Sequence, residues 1–197
     1  MNTPPVIKVL LAISAAEATL TRSRRLEPEH FFLALLKIED LLGQEITLKD
    51  VPERETREIE QDIADLVEFW KREEIPCKRM RRRLRALVVE HQQETGEFEG
   101  HRSERGRQLF RNAEAIAQER GEEQLSLKTM LIACLRFESP VLDEIFQEFG
   151  VKAESLLSAL GMNGKEQAGE KVPVERDQDK TRFHPLARYG RDLTALS

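Results

Sequence analysis

The side chains in this 197-residue chain that could do chemistry are few and scattered. His30, His91, His101 and His184 form no i, i+4 pair and sit in no HExxH motif, so no helix face presents two imidazoles to a metal. His30, beside Glu29, reads as a structural residue at the start of a helix. Cys77 and Cys134 lie far apart, outside any CxxC pattern, and neither has a histidine placed to activate it. Cys134 falls on the apolar face of a helix and reads as core. No Ser/His/Asp constellation is present. Gly161-Met162-Asn163-Gly164-Lys165-Glu166 superficially resembles a phosphate loop. Its spacing is wrong, Glu166 stands where a hydroxyl would reach Mg²⁺, and it follows a helix where a phosphate loop follows a strand. It reads as a helix C-cap running into a linker. The chain is expected to be no enzyme, with no metal and no cofactor of its own.

One charged run remains, Lys78-Arg79-Met80-Arg81-Arg82-Arg83-Leu84-Arg85. Met80 and Leu84 put an apolar stripe through it, and acids on the preceding helix can compensate it. A paired, solvated helix face is the first reading. Docking of an acidic partner through Arg79, Arg81, Arg82, Arg83 and Arg85 is the second, and a nucleic-acid backbone is the third.

Composition frames these residues. Lys plus Arg number 31 and Asp plus Glu 36, a net charge of −5, so the chain is not a general nucleic-acid binder. No stretch approaches 18 uninterrupted apolar residues, and 9–13 is too short and lacks the basic flank of a signal peptide. Two unpaired cysteines fit a reducing compartment, which points to the cytoplasm and to no membrane. A chain 34% charged and only 6% aromatic suits a helix-rich soluble protein.

The elements that must position these residues are marked by caps. Thr3-Pro4 reads as an N-cap and first helical residue, followed by apolar residues at Ile7, Leu10, Leu11 and Ser14/Ala15. Pro28 opens a second helix, to about Leu42, closed by Gly43. Ser103 caps a helix ending at Gly121, Ser126 caps one to about Phe137, and Ser139-Pro140 starts one ended by Gly150. A last short helix runs to Leu160, ended by Gly161. No stretch alternates as a strand, so the fold class is all-α.

Between these lie two further amphipathic patterns. Ile59, Ile63, Leu66, Val67 and Trp70 form one, Met80, Leu84, Leu87, Val88 and His91 the other, and Pro76 separates them. Region 53–74 holds nine acids and four bases, while 78–91 holds six bases and one acid. The expectation is an inserted antiparallel hairpin over 52–95 whose opposed charges attract, and without which the rest would still fold. Residues 162–182 are rich in Gly, Glu, Lys, Asp and Gln and read as a flexible linker. Apolar residues return at Phe183, Leu186, Tyr189, Leu193 and Leu196, a stub (183–197) that suggests a further module.

The sequence also repeats at an offset of 99: Leu26-Glu27-Pro28-Glu29-His30-Phe31-Phe32-Leu33-Ala34-Leu35-Leu36 lies over Leu125-Ser126-Leu127-Lys128-Thr129-Met130-Leu131-Ile132-Ala133-Cys134-Leu135. Leu10, Leu11 and Ala18 lie over Leu109, Phe110 and Ala117. This predicts two pseudo-symmetric helical repeats, about 3–51 and 101–161, within one domain over 1–161. Small-residue faces (Ala12, Ala15, Ala18; Ala113, Ala117) would let a larger-residue helix approach closely.

Those segments resemble the double-repeat N-terminal domain of Clp-type AAA+ unfoldases and disaggregases. Leu186-Ala187-Arg188-Tyr189-Gly190-Arg191-Asp192-Leu193-Thr194 is similar to the segment that joins that domain to its first ATPase module. The resemblance implies a bundle of about eight helices that binds unfolded, aggregated or tagged clients, or an adaptor, for delivery to a motor. ATP and Mg²⁺ would belong only to the missing ATPase modules. The isolated domain would be monomeric and the parent hexameric. It also implies an apolar client groove, matched here by Phe110, Ile116 and Thr129. Glu29 matches a glutamate that in some relatives helps bind phosphoarginine, where a carboxylate receives the guanidinium. Lys128 reverses that charge in the second copy, and a favourable acid in the first turn of a helix is the preferred reading of Glu29. A stand-alone accessory protein docking on a Clp unfoldase or peptidase is the alternative function, and a nucleic-acid-binding helical protein using 79–85 the third.

Overall fold

The computed structural model describes residues 3–41, 53–92 and 95–162. They form eight α-helices: α1 (Pro5–Leu20), α2 (Pro28–Lys37), α3 (Glu53–Arg72), α4 (Cys77–His91), α5 (Glu104–Glu119), α6 (Leu127–Arg136), α7 (Pro140–Phe149) and α8 (Ala153–Ala159). A 3₁₀ turn, Ile38–Leu41, follows α2, so the second helix is shorter than its apolar pattern implied. The described residues contain no strand, only two isolated bridges, and no helix among them is long and apolar enough to cross a membrane. Residues 163–197, holding the stub and all of the linker but Met162, lie outside the described residues, as does Gly43.

The caps act where the sequence put them. Ser103 Oγ accepts the Gly106 N–H at 2.9 Å, Ser126 Oγ the Thr129 N–H and Ser139 Oγ the Leu142 N–H, each relieving one orphan donor of a first turn. Gly150 closes α7 at φ +66, a left-handed conformation in which a side chain would be strained. The start of α1 is shifted by one residue: Pro4 is the N-cap and Pro5 the first helical residue, with no side-chain cap.

Helix α2 is the centre of the bundle. Every residue from Pro28 to Leu36 is buried. Helix α1 packs on it from one side, α4 and α6 from others. Phe31 meets Phe110 of α5 edge-on, with ring centroids 5.2 Å apart. Its neighbour Phe32 meets Phe146 of α7 at 5.3 Å and Trp70 of α3 at 6.4 Å, also edge-on. Two adjacent phenylalanines thus join three helices far apart in sequence.

This arrangement corrects the inserted hairpin. Helices α3 and α4 barely touch each other. Helix α3 lies on α6, α1 and the 3₁₀ turn, and α4 lies between α2 and α7. Ile59, Ile63, Leu66, Trp70, Met80, Leu84 and Leu87 belong to the same buried cluster as the residues of α2 and α6. Apolar stripes gain from burial against any apolar partner, whereas an exposed ion pair contributes only about 0–1 kcal/mol, so the opposed charges do not dictate that α3 and α4 pack together. The alanine faces are corrected too. Ala18, Ala113 and Ala117 are buried, but Ala12 is exposed and Ala15 half-exposed, because α1 turns Ile7, Leu10, Ser14 and Glu17 inward.

Between α1 and α2 the chain runs beside residues 95–103. The Gly96 N–H donates to Arg22 O, Glu99 N–H to Arg24 O, Leu26 N–H to His101 O and Ser103 N–H to Leu26 O. Gly106, in the first turn of α5, is pressed against this strap: a Cβ there would lie 2.4 Å from Leu26 O.

Candidate recognition surfaces

The residues singled out for a client groove are interior. Phe110 is 7% exposed, with its ring against Phe31 and the Arg102 guanidinium 4.3 Å from its centroid. Ile116 is buried on the same helix. Thr129 is fully buried, its Oγ1 accepting the Ser126 N–H at 2.9 Å as half of a capping box. The three line the core and open no groove to solvent. Large apolar side chains on the inward arc of a helix are driven there by the gain from burial.

Glu29 is 3% exposed and already holds two partners. Its Oε1 accepts from Arg105 Nη2 at 3.0 Å and from Ser139 Oγ at 2.5 Å. The guanidinium a phosphoarginine would supply is thus matched here by Arg105 of the same chain. This bond ties α2 to α5 and to the cap of α7.

His30 is fully buried and, as expected, structural. Its Nδ1 accepts the Glu27 N–H at 2.9 Å, which leaves Nε2 to carry the proton toward Thr21 Oγ1 and Ser23 Oγ, each at 3.0 Å. Burial pushes its pKa down to about 4, against the opposing pull of Glu29 and Glu17. Burial likewise pushes the Cys77 thiol up to about 12 and raises that of Cys134, so both are inert. His91 Nε2 lies 3.1 Å from Glu144, and His101 is exposed; His184 lies outside the described residues. No group of three or more His, Cys, Asp or Glu among the described residues could hold a metal ion. Gly161 follows Leu160, the C-cap of α8, at φ +81, and 163–166 lie outside the described residues.

The arginine run divides into two sets. Arg81 Nη1 reaches Asp40 of the 3₁₀ turn at 2.8 Å. Arg83 reaches Glu148 at 2.7 Å and Glu144 at 3.5 Å, both on α7, and Glu90 at 3.2 Å. Arg85 grips Glu17 of α1, a carboxylate with no exposed surface that Lys37 also approaches at 3.2 Å. Burial pushes the Glu17 carboxyl up, but the bonds from Arg85 and Lys37 outweigh it and hold the pKa below the usual range. These partners lie on α1, α4 itself, α7 and the turn, whereas the sequence had assigned the compensating acids to α3. The other set faces outward. Lys78, Arg79 and Arg82 are exposed along one side of the first turns of α4, with Arg79 5.9 Å from the Phe149 ring.

A second outward surface had no sequence expectation attached. The outer arc of α1 consists of Lys8, Ala12, Ala16, Thr19 and Leu20, with Leu11, Ile13 and Ala15 partly exposed. Leu20 is 63% exposed. An open depression of about 700 Å³, lined by Thr19, Arg22, Thr95, Gly96, Glu97 and Phe98, adjoins its C-terminal end. The signal was present in the sequence: α1 has apolar residues nearly all round, which a helix with one solvated face does not need.

No family model matches the chain, and a search of curated proteins finds no match either.

Proposed function

We propose that this chain is a recognition domain of the Clp N-terminal type, which binds unfolded clients or an adaptor and delivers them to a motor without performing chemistry itself. One observation carries the reading, the 99-residue register of its helices. Adding 99 to the bounds of α1 and α2 gives the bounds of α5 and α6. The left-handed residues after α1 and α5, Arg22 at φ 56 and Gly121 at φ 66, keep the register. So do the caps: the Glu27 N–H donates to the His30 ring and the Ser126 N–H to the Thr129 hydroxyl, both at 2.9 Å. A sequence resemblance confined to two Leu/Ala-rich helices would not require matching turns and caps. Crosswise packing of α1 on α6 and of α2 on α5 supports a pseudo-two-fold relation between the repeats.

In this reading the partner meets Lys78, Arg79 and Arg82, cations of α4 that no carboxylate among the described residues pairs with, and the partner surface is acidic. The test is binding of the purified chain to a fluorescently labelled, permanently unfolded protein and to its native form. Micromolar, salt-sensitive binding of the unfolded form alone is expected, weakened at least tenfold by Lys78→Glu with Arg82→Glu. Equal binding of both forms, or none at ~100 µM, would sink the reading.

A further inference from the structure

We propose that the outer face of α1 is an interface between two copies of this chain, packed antiparallel about a two-fold axis. The proposal stands on α1 and does not depend on the client-binding reading. Helices α1 and α5 are both 16 residues long and each packs on the helix that follows it. Their outer faces match at Lys8 and Arg107 and at Ala16 and Ala115, and differ at Ala12, Thr19 and Leu20, where α5 has Arg111, Gln118 and Glu119. Exposed positions of α5 include Glu104, Arg107, Gln108, Arg111, Glu114 and Gln118, an ordinary solvated face. The outer arc of α1 carries one charge, Lys8. A contiguous apolar arc of this kind marks an interaction site.

The occupant follows from self-complementarity. Lys8 and Thr19 are three turns apart and lie on one side of α1. Thr19 borders the depression that contains Glu97. Lys8 and Glu97 are both exposed and stand in no ion pair among the described residues. An axis through Ala12 and Ala16 brings Lys8 of each copy to the depression of the other, so the same two charges pair twice. Arg22 lines the depression as well, beside Glu97. Antiparallel packing also opposes the two helix dipoles. Alanine at the crossing lets the helices approach to the short end of the usual 8–10 Å separation. Each helix is about 24 Å long. One helix from each copy gives an interface at the low end of the stable range, so the dimer should dissociate at micromolar concentration. The arrangement adds a state to the monomer implied by the family resemblance.

The test is sedimentation equilibrium of the full chain from ~1 to ~500 µM, with circular dichroism to verify the fold. A reversible dimer is expected. Ala16→Glu, at an exposed helical position, should weaken it at least tenfold. Lys8→Glu and Glu97→Lys should each weaken it, and the double variant should restore it. A chain that stays monomeric throughout, a dimer indifferent to Ala16→Glu, or a double variant no better than the singles would overturn the proposal. A monomeric chain whose Ala16→Glu variant loses unfolded-protein binding would assign the face to clients instead.

Discussion

Arg85 of α4 holds Glu17 of α1 with two parallel bonds, Nε to Oε2 at 2.6 Å and Nη2 to Oε1 at 2.7 Å. The bond is bidentate, the carboxylate is fully buried, and the two residues are 68 apart in sequence. It is the point at which α4 is pinned to α1.

Removing one member of this pair should therefore be costly. Arg85→Met leaves a buried carboxylate facing Lys37 alone, and a loss of about 3–5 kcal/mol is expected in urea denaturation. Adding Glu17→Met to it should recover part of the loss, because the uncompensated charge is gone. A loss below about 1 kcal/mol for Arg85→Met would mean that the pair is solvated in the native state.

Acid should weaken the fold through His30. Its folded pKa of about 4 lies below the ordinary 6.5, so the native state resists a proton that the unfolded chain accepts. The associated stability is complete above pH 6.5 and is lost as pH falls toward 4. Between pH 6.5 and 5, before most carboxylates titrate, the loss should be about 2 kcal/mol. Denaturation midpoints measured across that range should be flatter for His30→Gln than for the parent.

Phe110 should prove a stability residue. Phe110→Ala removes a ring that packs on Phe31, and should lower stability by about 3–5 kcal/mol. Phe110→Asp should lose the helical circular dichroism signal. A Phe110→Asp protein that stays helical would place the ring outside the core.

Gly106→Ala tests the approach of the 22–26 strap to α5. Alanine ordinarily favours a helix by up to about 1 kcal/mol. Here its Cβ would meet the backbone oxygen of Leu26 at 2.4 Å, which cannot rotate away. A net destabilisation of about 1–3 kcal/mol is expected from thermal or urea melts. Increased stability would show that the strap yields freely.

Local chemistry made much of this protein legible in its sequence. Ser103, Ser126 and Ser139 begin their helices and Gly150 ends one because capping depends on residues within one turn. The offset of 99 was visible because the segments Leu26–Leu36 and Leu125–Leu135 carry apolar residues in the same register. The burial of Cys134 followed from its place on an apolar helix face.

Tertiary structure decided what local rules cannot reach. Periodicity shows that α3 and α4 each have an apolar stripe; it does not say which helix the stripe meets. The packing gave both to the α2–α6 centre and separated them. It paired Arg81, Arg83 and Arg85 with Glu17, Asp40, Glu144 and Glu148, all remote in sequence or on another helix. It put Phe110, Ile116 and Thr129 inside, leaving no groove at the positions chosen for one. Its largest decision concerns α1. A helix apolar nearly all round has no inward face until neighbours choose one, and α2 chose the side of Ile7, Leu10 and Ser14, leaving Ala12, Ala16 and Leu20 exposed.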